Sequence, residues 1–505
     1  MLMHATLLDG ADRRPDAPCL HWVDRDCGVT FAGAVDAMER MAGALAEFGV
    51  GPGDRVTIFA HNGLDYLTAM FGCWRRGAIA ALVNVKFADD LAYYLADHTP
   101  TVVIYTHDMA DAVFAAAAAA GGVRALICMD GPQEGAHALP ELMAAALPAG
   151  VDPGDDHAVA HLSYTSGTTG RPKGACLRHA PTLRASRCIA ERLQIAPEDV
   201  SLGPTALSSS YQLVGNLLPQ LSRMAAVNVM TRWTRAGGYA ALTARKATML
   251  IANPPILSDL LEESLARGAP PARLRFGMSG GGPVPPSLKR AWRERLGLPL
   301  VESYGQSELG GFVALGFPRH EPADAPPQRI GPPLPDKEVR IADPDGAPLP
   351  CGAVGEIVLR GGFMAGYWGR PEKTAEALRD GWLRTGDIGA MDRDGHITLR
   401  GRASELLRVC GETWYPRDLE EALCALPGVL QAAVVGAPDP AFGVRPVAFI
   451  QTAGALDAAA LIAALRGMTG HDVSKLGLRV LDAMPMTPTG KIAKAELAAM
   501  ARGAP

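Results

Sequence analysis

The amino-acid sequence predicts an α/β protein with a large N-terminal domain of helix-covered sheets, a β-rich subdomain and a small C-terminal α+β domain. The chain has 505 residues, more than one hydrophobic core usually organises, so several domains are expected. Short apolar runs alternate with amphipathic helical patterns along the N-terminal part, as in parallel sheets covered by helices. A second alternation starts at Pro416 and continues to Met500.

The N-terminal elements follow from apolar spacing and from chain breakers. Apolar residues between Met38 and Phe48 repeat at helical spacing. The break Gly51-Pro52-Gly53 follows, and a short apolar run then indicates a buried strand. Strands are expected at Val56–Phe59, Ala80–Val83, Thr101–Tyr105 and Arg124–Cys128, with helices between them.

The C-terminal third changes character twice. Residues 318–337 are rich in proline and predict a loop, and the strands expected next are joined by Gly/Asp turns. A polar stretch at 401–405 then separates a domain of residues 1–404 from one of residues 405–505. Strands are expected at Val339–Ile341, Glu356–Arg360, His396–Leu399, Ala432–Val435, Val447–Ile450 and Leu478–Leu481, and helices at Asp418–Leu426, Ala458–Leu465 and Ile492–Met500.

Composition excludes several classes of protein. The net charge is −5, so no electrostatic attraction to nucleic acid or anionic lipid is expected. No signal peptide is recognisable, and the Ala-rich stretch 112–120 is too short to span a membrane. None of the nine cysteines forms a C-x-x-C pair, which favours free thiols in a reducing compartment. We therefore expect a cytoplasmic protein without a membrane span.

The strongest local signal is the run Tyr164–Gly174, Y-T-S-G-T-T-G-R-P-K-G, which follows an expected strand at Val159–Leu162. Glycines let backbone N–H groups approach an anion, hydroxyls add donors, and Lys173 supplies a positive charge. A lone Gly-rich stretch is more often a turn. The chain contains neither a Walker A motif nor a G-x-G-x-x-G turn, which disfavours P-loop NTPases and Rossmann dehydrogenases.

This run resembles the signature of the adenylate-forming superfamily, which includes acyl-CoA synthetases, adenylation domains and firefly-type luciferases. Further motifs of that family appear in the family's order, and together they make a chance match implausible. They are Gly280–Pro283, Tyr304–Glu308 (Y-G-Q-S-E), Gly355–Ile357 with Gly366-Tyr367, Gly381–Asp387 (G-W-L-R-T-G-D), Gly401-Arg402 and Pro485–Lys491 (P-M-T-P-T-G-K).

The resemblance implies an ATP-dependent acid–CoA ligase that works in two steps. A carboxylate attacks the α-phosphate of ATP and gives an acyl-adenylate and pyrophosphate, and the thiol of CoA then attacks the acyl carbon and releases AMP. Both steps need fixed donors and cations that stabilise developing negative charge. The implied substrates are a carboxylic acid of organic-acid or fatty-acid metabolism, ATP and CoA, with Mg²⁺ as the metal and a homodimer as the default assembly.

The resemblance also assigns a role to each motif. Three residues would be catalytic, namely Lys491, which would bridge the carboxylate and the α-phosphate, Glu308, which would bind Mg²⁺, and Lys173, which would bind phosphate. Asp387 would accept hydrogen bonds from the ribose hydroxyls, and Arg402 would reach the ribose or a phosphate. The remaining nucleotide-site residues would be Thr165, Ser166, Gly167, Thr168, Thr169 and Gly170 around the phosphates, Gly281, Gly282, Pro283 and Tyr304 around adenine, and Gly305, Gln306 and Ser307 beside them.

Several positions depart from the family pattern. In the hinge motif Ser404 and Glu405 replace the usual Lys and Asp, and Glu405 remains the hinge candidate because it keeps the charge. Cys410-Gly411 stands where two glycines are usual, and Gly411 would line the thiol channel. The usual aromatic-His pair of the acyl pocket is missing after Pro204, and the pocket candidates are Ser209, Tyr211, Asn253 and Pro254.

Three functions remain open at this stage. The first is a stand-alone acid–CoA ligase. The second is an enzyme of the same fold that loads a carrier protein or stops at the adenylate, which the absence of an appended carrier domain disfavours. The third is a non-catalytic nucleotide-binding protein, which the joint presence of the charged motif residues disfavours. Arg232 and Arg235 beside Trp233 would suit a second substrate carboxylate, although such arginines are usually solvated.

Overall fold

The computed structural model describes residues 1–151, 155–165, 171–282, 284–320, 322, 329–454, 458–468, 471–487 and 492–503. It confirms the predicted α/β class. The N-terminal elements are helices α1 (Ala5–Arg13), α2 (Phe31–Glu47), α3 (Leu64–Arg75), α4 (Leu91–His98), α5 (Ala110–Ala120) and α6 (Leu139–Ala145), and strands β1 (Pro18–Trp22), β2 (Cys27–Thr30), β3 (Arg55–Phe59), β4 (Ile79–Leu82), β5 (Val102–Tyr105), β6 (Ala125–Cys128) and β7 (His137–Ala138).

The central region continues the alternation of strands and helices. Its strands are β8 (Val159–Thr165), β9 (Lys173–Arg178), β10 (Val200–Gly203), β11 (Ala226–Val229), β12 (Met249–Ala252), β13 (Phe276–Ser279), β14 (Leu300–Gln306) and β15 (Gly311–Leu315). Its helices are α7 (His179–Arg192), α8 (Ser210–Gln212), α9 (Leu218–Leu221), α10 (Arg235–Ala244), α11 (Pro254–Arg267) and α12 (Pro286–Ala291), with π-helical turns at Leu213–Leu217 and Trp292–Leu296.

The remaining elements form a β-rich region and a small C-terminal α+β region. The first contains β16 (Arg329–Gly331), β17 (Glu338–Ala342), β18 (Gly355–Arg360), β19 (Leu378–Arg379), β20 (Trp382–Met391), β21 (Ile397–Arg402) and α13 (Pro371–Ala377). The second contains β22 (Leu407–Val409), β23 (Glu412–Trp414), β24 (Val429–Asp439), β25 (Gly443–Thr452), β26 (Gly477–Leu481), α14 (Pro416–Cys424), α15 (Ala458–Met468) and α16 (Lys494–Arg502).

Two large sheets organise the N-terminal part. One has the strand order β7-β6-β5-β3-β4-β8-β9 and the other β15-β14-β13-β12-β10-β11-β1-β2. Most neighbouring strands are parallel, while β8 and β9 pair antiparallel through Thr165 and Lys173. Helices cover these sheets, so the strands are apolar along their whole length, as in β4 and β5, which are buried throughout.

The predicted strands are confirmed with shifted ends, and one region differs. The stretch 318–337, which we predicted as a loop, contains β16, which pairs with β21 at the edge of a six-stranded sheet. A strand of three residues that includes a charged one has no recognisable apolar pattern. It could therefore be identified only from its pairing with β21. The last helix begins at Lys494 instead of Ile492, because Ile492 forms a β-bridge with Met486.

The apolar clusters of the described residues each lie on one side of residues 400–406. The clusters around the large sheets and the β-rich sheet use residues up to Leu399. The two C-terminal clusters use residues from Leu407 onward. Charged pairs cross this line instead: Arg400 Nη1 lies 2.5 Å from Asp418 Oδ2, and Arg417 Nη2 lies 3.7 Å from Glu302 Oε1.

Candidate active site

The predicted motifs converge where strands of the two large sheets end. The Gly280–Gly282 turn follows β13, and the Tyr304–Glu308 motif runs from the last residues of β14 into a 3₁₀ turn at Ser307–Leu309. Ligands of open α/β sheets bind beyond the carboxyl ends of the strands. The chain therefore brings its motif residues to the edge at which a ligand is expected.

Three motif residues meet around the carboxylate of Asp387, which is only 4% exposed. The Tyr304 hydroxyl donates to Asp387 Oδ2 at 2.8 Å, and the Gln306 side-chain amide donates to the same oxygen. Arg402 Nε lies 2.8 Å from Oδ1. Burial raises the pKa of Tyr304 well above its ordinary value, so this phenol stays a neutral donor.

Lys173 and Glu308 both contact Tyr367. The Lys173 ammonium lies 4.3 Å from the centre of the Tyr367 ring, and the Tyr367 hydroxyl donates to Glu308 Oε1 at 3.0 Å. Burial, reinforced by the Glu308 charge, raises the pKa of Tyr367, which keeps its proton on the oxygen. Sequence reasoning noted Tyr367 in a motif but gave it no role.

Ser307 and Thr165 are also held by described neighbours. The Ser307 hydroxyl lies 3.1 Å from that of Ser163 and 3.1 Å from that of Ser210. Thr165 is the last residue of β8 and pairs with Lys173 in β9, which places the two ends of the glycine-rich run side by side. Ser307 thus connects the β14 motif with the strand that enters this run.

The side of the site assigned to the acid is built around Tyr211. Its hydroxyl lies 2.9 Å from the carbonyl oxygen of Met278 and 3.1 Å from that of Ala252, which share its one proton. Burial raises the pKa of Tyr211 well above the ordinary value. A Cβ at Gly280 would stand 2.3 Å from the Tyr211 ring. Glycine at this position therefore permits the close packing of the ring. The adjacent Gly281 has a φ of +80° and open space around it.

Other predicted pocket residues have structural partners. The Ser209 hydroxyl accepts from the Tyr211 amide at 3.2 Å, and the Asn253 side chain accepts from an amide in the first turn of α11, where Pro254 is the first residue. Arg235 pairs with Glu262 at 2.6 Å, on α11, and Arg232 is exposed. These contacts give no support to a role for the two arginines in binding a second substrate carboxylate.

The hinge candidate Glu405 takes part in a charged cluster. Its Oε2 lies 2.7 Å from Lys494 Nζ, and Lys494 also lies 2.8 Å from Glu420 Oε1. The attraction of these carboxylates raises the pKa of Lys494 despite its burial. Gly411 sits in the turn between β22 and β23 with a φ of +85° and open space around it. Lys494 was not identified from the sequence.

Some predicted site residues lie outside the described residues. They are Ser166, Gly167, Thr168, Thr169, Gly170, Pro283 and Lys491.

Among the described residues, no group of three or more His, Cys, Asp or Glu side chains is placed to hold a metal ion. Mg²⁺ is commonly bound by one or two carboxylates together with substrate phosphates and water. The half-buried Glu308, fixed by Tyr367 through one oxygen, fits this mode of binding.

Comparison with known proteins identifies the family of the chain. The AMP-binding enzyme model matches residues 7–368, and the AMP-binding enzyme C-terminal domain model matches residues 418–491. The feruloyl-CoA synthase of an Amycolatopsis species is 34% identical over 474 residues, which cover 93% of each chain. The sulfoacetate–CoA ligase of Cupriavidus necator is 32% identical, covering 96% of this chain and 94% of that protein.

The fold is also similar to that of solved structures. The ATP-bound structure of MatB from Rhodopseudomonas palustris superposes with a TM-score of 0.88 at 26% identity, and it covers 100% of this chain and 99% of that one. Within the described part of the chain, no helix has the length and apolar character needed to cross a membrane.

Proposed function

Since this chain belongs to the AMP-binding enzyme family, we propose that it is an ATP-dependent acid–CoA ligase. It joins a carboxylate to the AMP part of ATP and releases pyrophosphate. The CoA thiol then gives up its proton, attacks the acyl carbon and displaces AMP. The observation that carries this proposal is the meeting of Asp387, Tyr304, Gln306 and Arg402 in one cluster, with Lys173 and Glu308 joined through Tyr367.

The Asp387 cluster is assigned to the ribose of ATP. Asp387 would accept from ribose hydroxyls, and its three neighbours fix the orientation of its carboxylate before a nucleotide arrives. Gly281 and Gly282 carry no Cβ, and among the described residues other than their chain neighbours no atom lies within 4 Å of where one would be. That open space supports their assignment to the adenine side, together with Tyr304 and Pro283.

Lys173 and Glu308 are assigned to the phosphates. Lys173 would bind the β- and γ-phosphates with the hydroxyls of Ser166, Thr168 and Thr169. Glu308 would hold Mg²⁺, which when bound neutralises phosphate charge. Pyrophosphate leaves with a large negative charge. Cations held beside the β- and γ-phosphates would therefore lower the barrier of the first step.

The segment 405–505 is proposed to act as a lid that carries Lys491 to the α-phosphate and turns at Glu405. Lys491→Ala should then abolish adenylation and spare thioester formation from a pre-made acyl-adenylate. Lys475→Ala, in the same region, is the matched control, because the ion pair that Lys475 makes within the described residues is a local one with Asp472. Equal loss of both half-reactions in Lys491→Ala would contradict this division.

The test of the whole proposal is magnesium-dependent release of pyrophosphate across a panel of aromatic, aliphatic and dicarboxylic acids with CoA present. Release with at least one acid, coupled to a CoA thioester, is the expected result. No release with any acid would overturn the proposal. Turnover only with a phosphopantetheinylated carrier protein would show that this carrier, and not CoA, accepts the acyl group in the second step.

Two further predictions accompany this function. The nine cysteines are free thiols in the structure, which suits the reducing conditions of the cytoplasm. A homodimer is the expected assembly, and light scattering of the purified chain tests it.

A further inference from the structure

Tyr367 stands between the two charged residues assigned to the phosphates. The Lys173 ammonium lies over its ring, 4.3 Å from the ring centre, and its hydroxyl donates to Glu308 at 3.0 Å. Among the described residues, no Lys173 nitrogen lies within 4.0 Å of a Glu308 carboxylate oxygen, so the two do not form an ion pair. Opposite charges that share a neighbour attract each other, and here each charge contacts a different part of the tyrosine, the lysine its ring and the glutamate its hydroxyl.

The backbone around Tyr367 is fixed to the strand that begins with Lys173. The Cys176 amide donates to the Gly366 carbonyl at 2.9 Å, and the Trp368 amide donates to the Gly174 carbonyl at 2.8 Å. Residues 365–368 thereby lie along β9 like one more strand. The Met364 amide also donates to the Glu308 carbonyl at 2.9 Å. The segment is therefore hydrogen-bonded to Glu308 and to the strand that begins with Lys173.

The far end of the segment is anchored to α4. Arg370 Nη2 donates to Asp97 Oδ1 at 2.8 Å, and the Tyr164 hydroxyl donates to Asp97 Oδ2 at 2.9 Å. Since the Tyr164 proton goes to the carboxylate, the Nδ1 of His98, 2.9 Å away, must donate to the Tyr164 oxygen. The Asp97 side chain is 4% exposed, and through these two hydrogen bonds it connects the entrance of the glycine-rich run to the Tyr367 segment.

We propose that Tyr367 is a positioning residue that keeps Lys173 and Glu308 apart and sets each for its own part of MgATP. This inference rests on the proposed function. The ring face holds the ammonium without neutralising it, because a cation–π contact removes no net charge. The hydroxyl fixes the carboxylate, so that little rotamer freedom is lost when a metal binds. Without the tyrosine, the lysine and the glutamate would pair and cancel the charges that phosphate and metal need.

The test uses the full chain and two substitutions that divide the two contacts. Tyr367→Phe keeps the ring over Lys173 and removes the hydroxyl, whereas Tyr367→Leu removes both. Tyr239→Phe is the matched control, because its hydroxyl donates to the Ala269 carbonyl on an exposed surface. Calorimetry measures binding of ATP with and without Mg²⁺, and of AMP, which lacks the β- and γ-phosphates.

We expect Tyr367→Phe to need about tenfold more Mg²⁺ for the same ATP affinity, since one hydrogen bond to a charged group is lost. Tyr367→Leu should in addition bind metal-free ATP about tenfold more weakly. AMP binding should equal that of the wild type in both variants, and Tyr239→Phe should bind all three ligands as the wild type does.

Unchanged ATP binding in Tyr367→Leu would overturn the inference, and so would an equal loss of ATP and AMP binding, which would indicate general damage to the fold. Binding is measured without an acid substrate, so these results are separate from the test of the ligase reaction. A wild-type chain that binds MgATP but releases no pyrophosphate would refute only the proposed function. A wild-type chain that binds no ATP would refute both.

Discussion

His161 provides a quantitative prediction about stability in acid. It lies in β8, is 0% exposed, and neither ring nitrogen has a hydrogen-bond partner among the described residues. Burial lowers its pKa from 6.5 to about 3. The folded chain therefore holds this imidazole neutral, while the unfolded chain protonates it once the pH falls below the ordinary value.

The sign of the effect follows from proton linkage. Below pH 6.5 the unfolded state binds one more proton at this site than the folded state, so the free energy of unfolding falls as the pH falls. The loss is about 1.4 kcal/mol per pH unit, or about 2 kcal/mol at about pH 5. Above the ordinary value the contribution is fully retained. His98, with a pKa of about 3, and His179, with a pKa of about 4, add losses of the same sign.

The perturbation is His161→Leu, which replaces an unpaired buried imidazole by an apolar side chain. At neutral pH the variant should be as stable as the wild type or more stable, because two buried nitrogens without partners are removed. Between about pH 6 and about pH 5 its free energy of unfolding should fall less steeply, by about 1.4 kcal/mol per pH unit. Urea titrations followed by near-ultraviolet circular dichroism measure this slope.

The matched control is His157→Leu, four residues earlier on the exposed surface. It should leave the slope unchanged. An acid slope in His161→Leu as steep as that of the wild type would refute the reasoning, because the buried imidazole would then not be a source of the acid lability.

Three further predictions concern the site. Gly280→Ala would place a Cβ 2.3 Å from the Tyr211 ring, so the KM for the acid should rise and stability should fall by about 1–3 kcal/mol in urea titrations; an unchanged KM would contradict it. Asp387→Asn should weaken ATP and AMP alike by at least about tenfold in calorimetry, and a loss confined to ATP would speak against the ribose assignment. Glu405→Gln, facing Lys494 in a partly exposed pair, should change stability by under about 1 kcal/mol yet shift the ratio of pyrophosphate release to thioester formation; equal change in both would argue against a hinge role.

The strands of the core were predictable because a buried strand is a run of apolar residues, which is visible in the sequence. Strands such as β3 and β5 are runs of apolar residues between chain breakers, and the structure places them within a residue of the prediction. The short strand β16 has no such apolar run, because it is a strand only through its pairing with β21, which lies more than 60 residues later in the chain. An apolar pattern predicts that a segment is buried, but it does not show with which strand the segment pairs.

The same limit applies to the site. The motif order predicted that Tyr304, Asp387 and Arg402 serve one function, and the structure brings their side chains together. The sequence could not show that Tyr367 connects Lys173 with Glu308, because those contacts join three distant segments. The sequence also could not show whether a polar residue lines a pocket or caps a helix. Asn253 fits either description in sequence, and its hydrogen bond to α11 is visible only in the structure.

The charged contacts across residues 400–406 determine how the C-terminal region responds to its surroundings. The apolar clusters end at Leu399 and resume at Leu407, while Arg400–Asp418 and Arg417–Glu302 connect the two sides. Separating apolar faces would carry a large heat-capacity change, whereas separating the partly exposed Arg400–Asp418 pair is sensitive to screening by salt. The Arg417–Glu302 pair is buried and is screened less. The orientation of this region should therefore respond to ionic strength through the Arg400–Asp418 pair, and salt becomes a control for the balance between the two half-reactions.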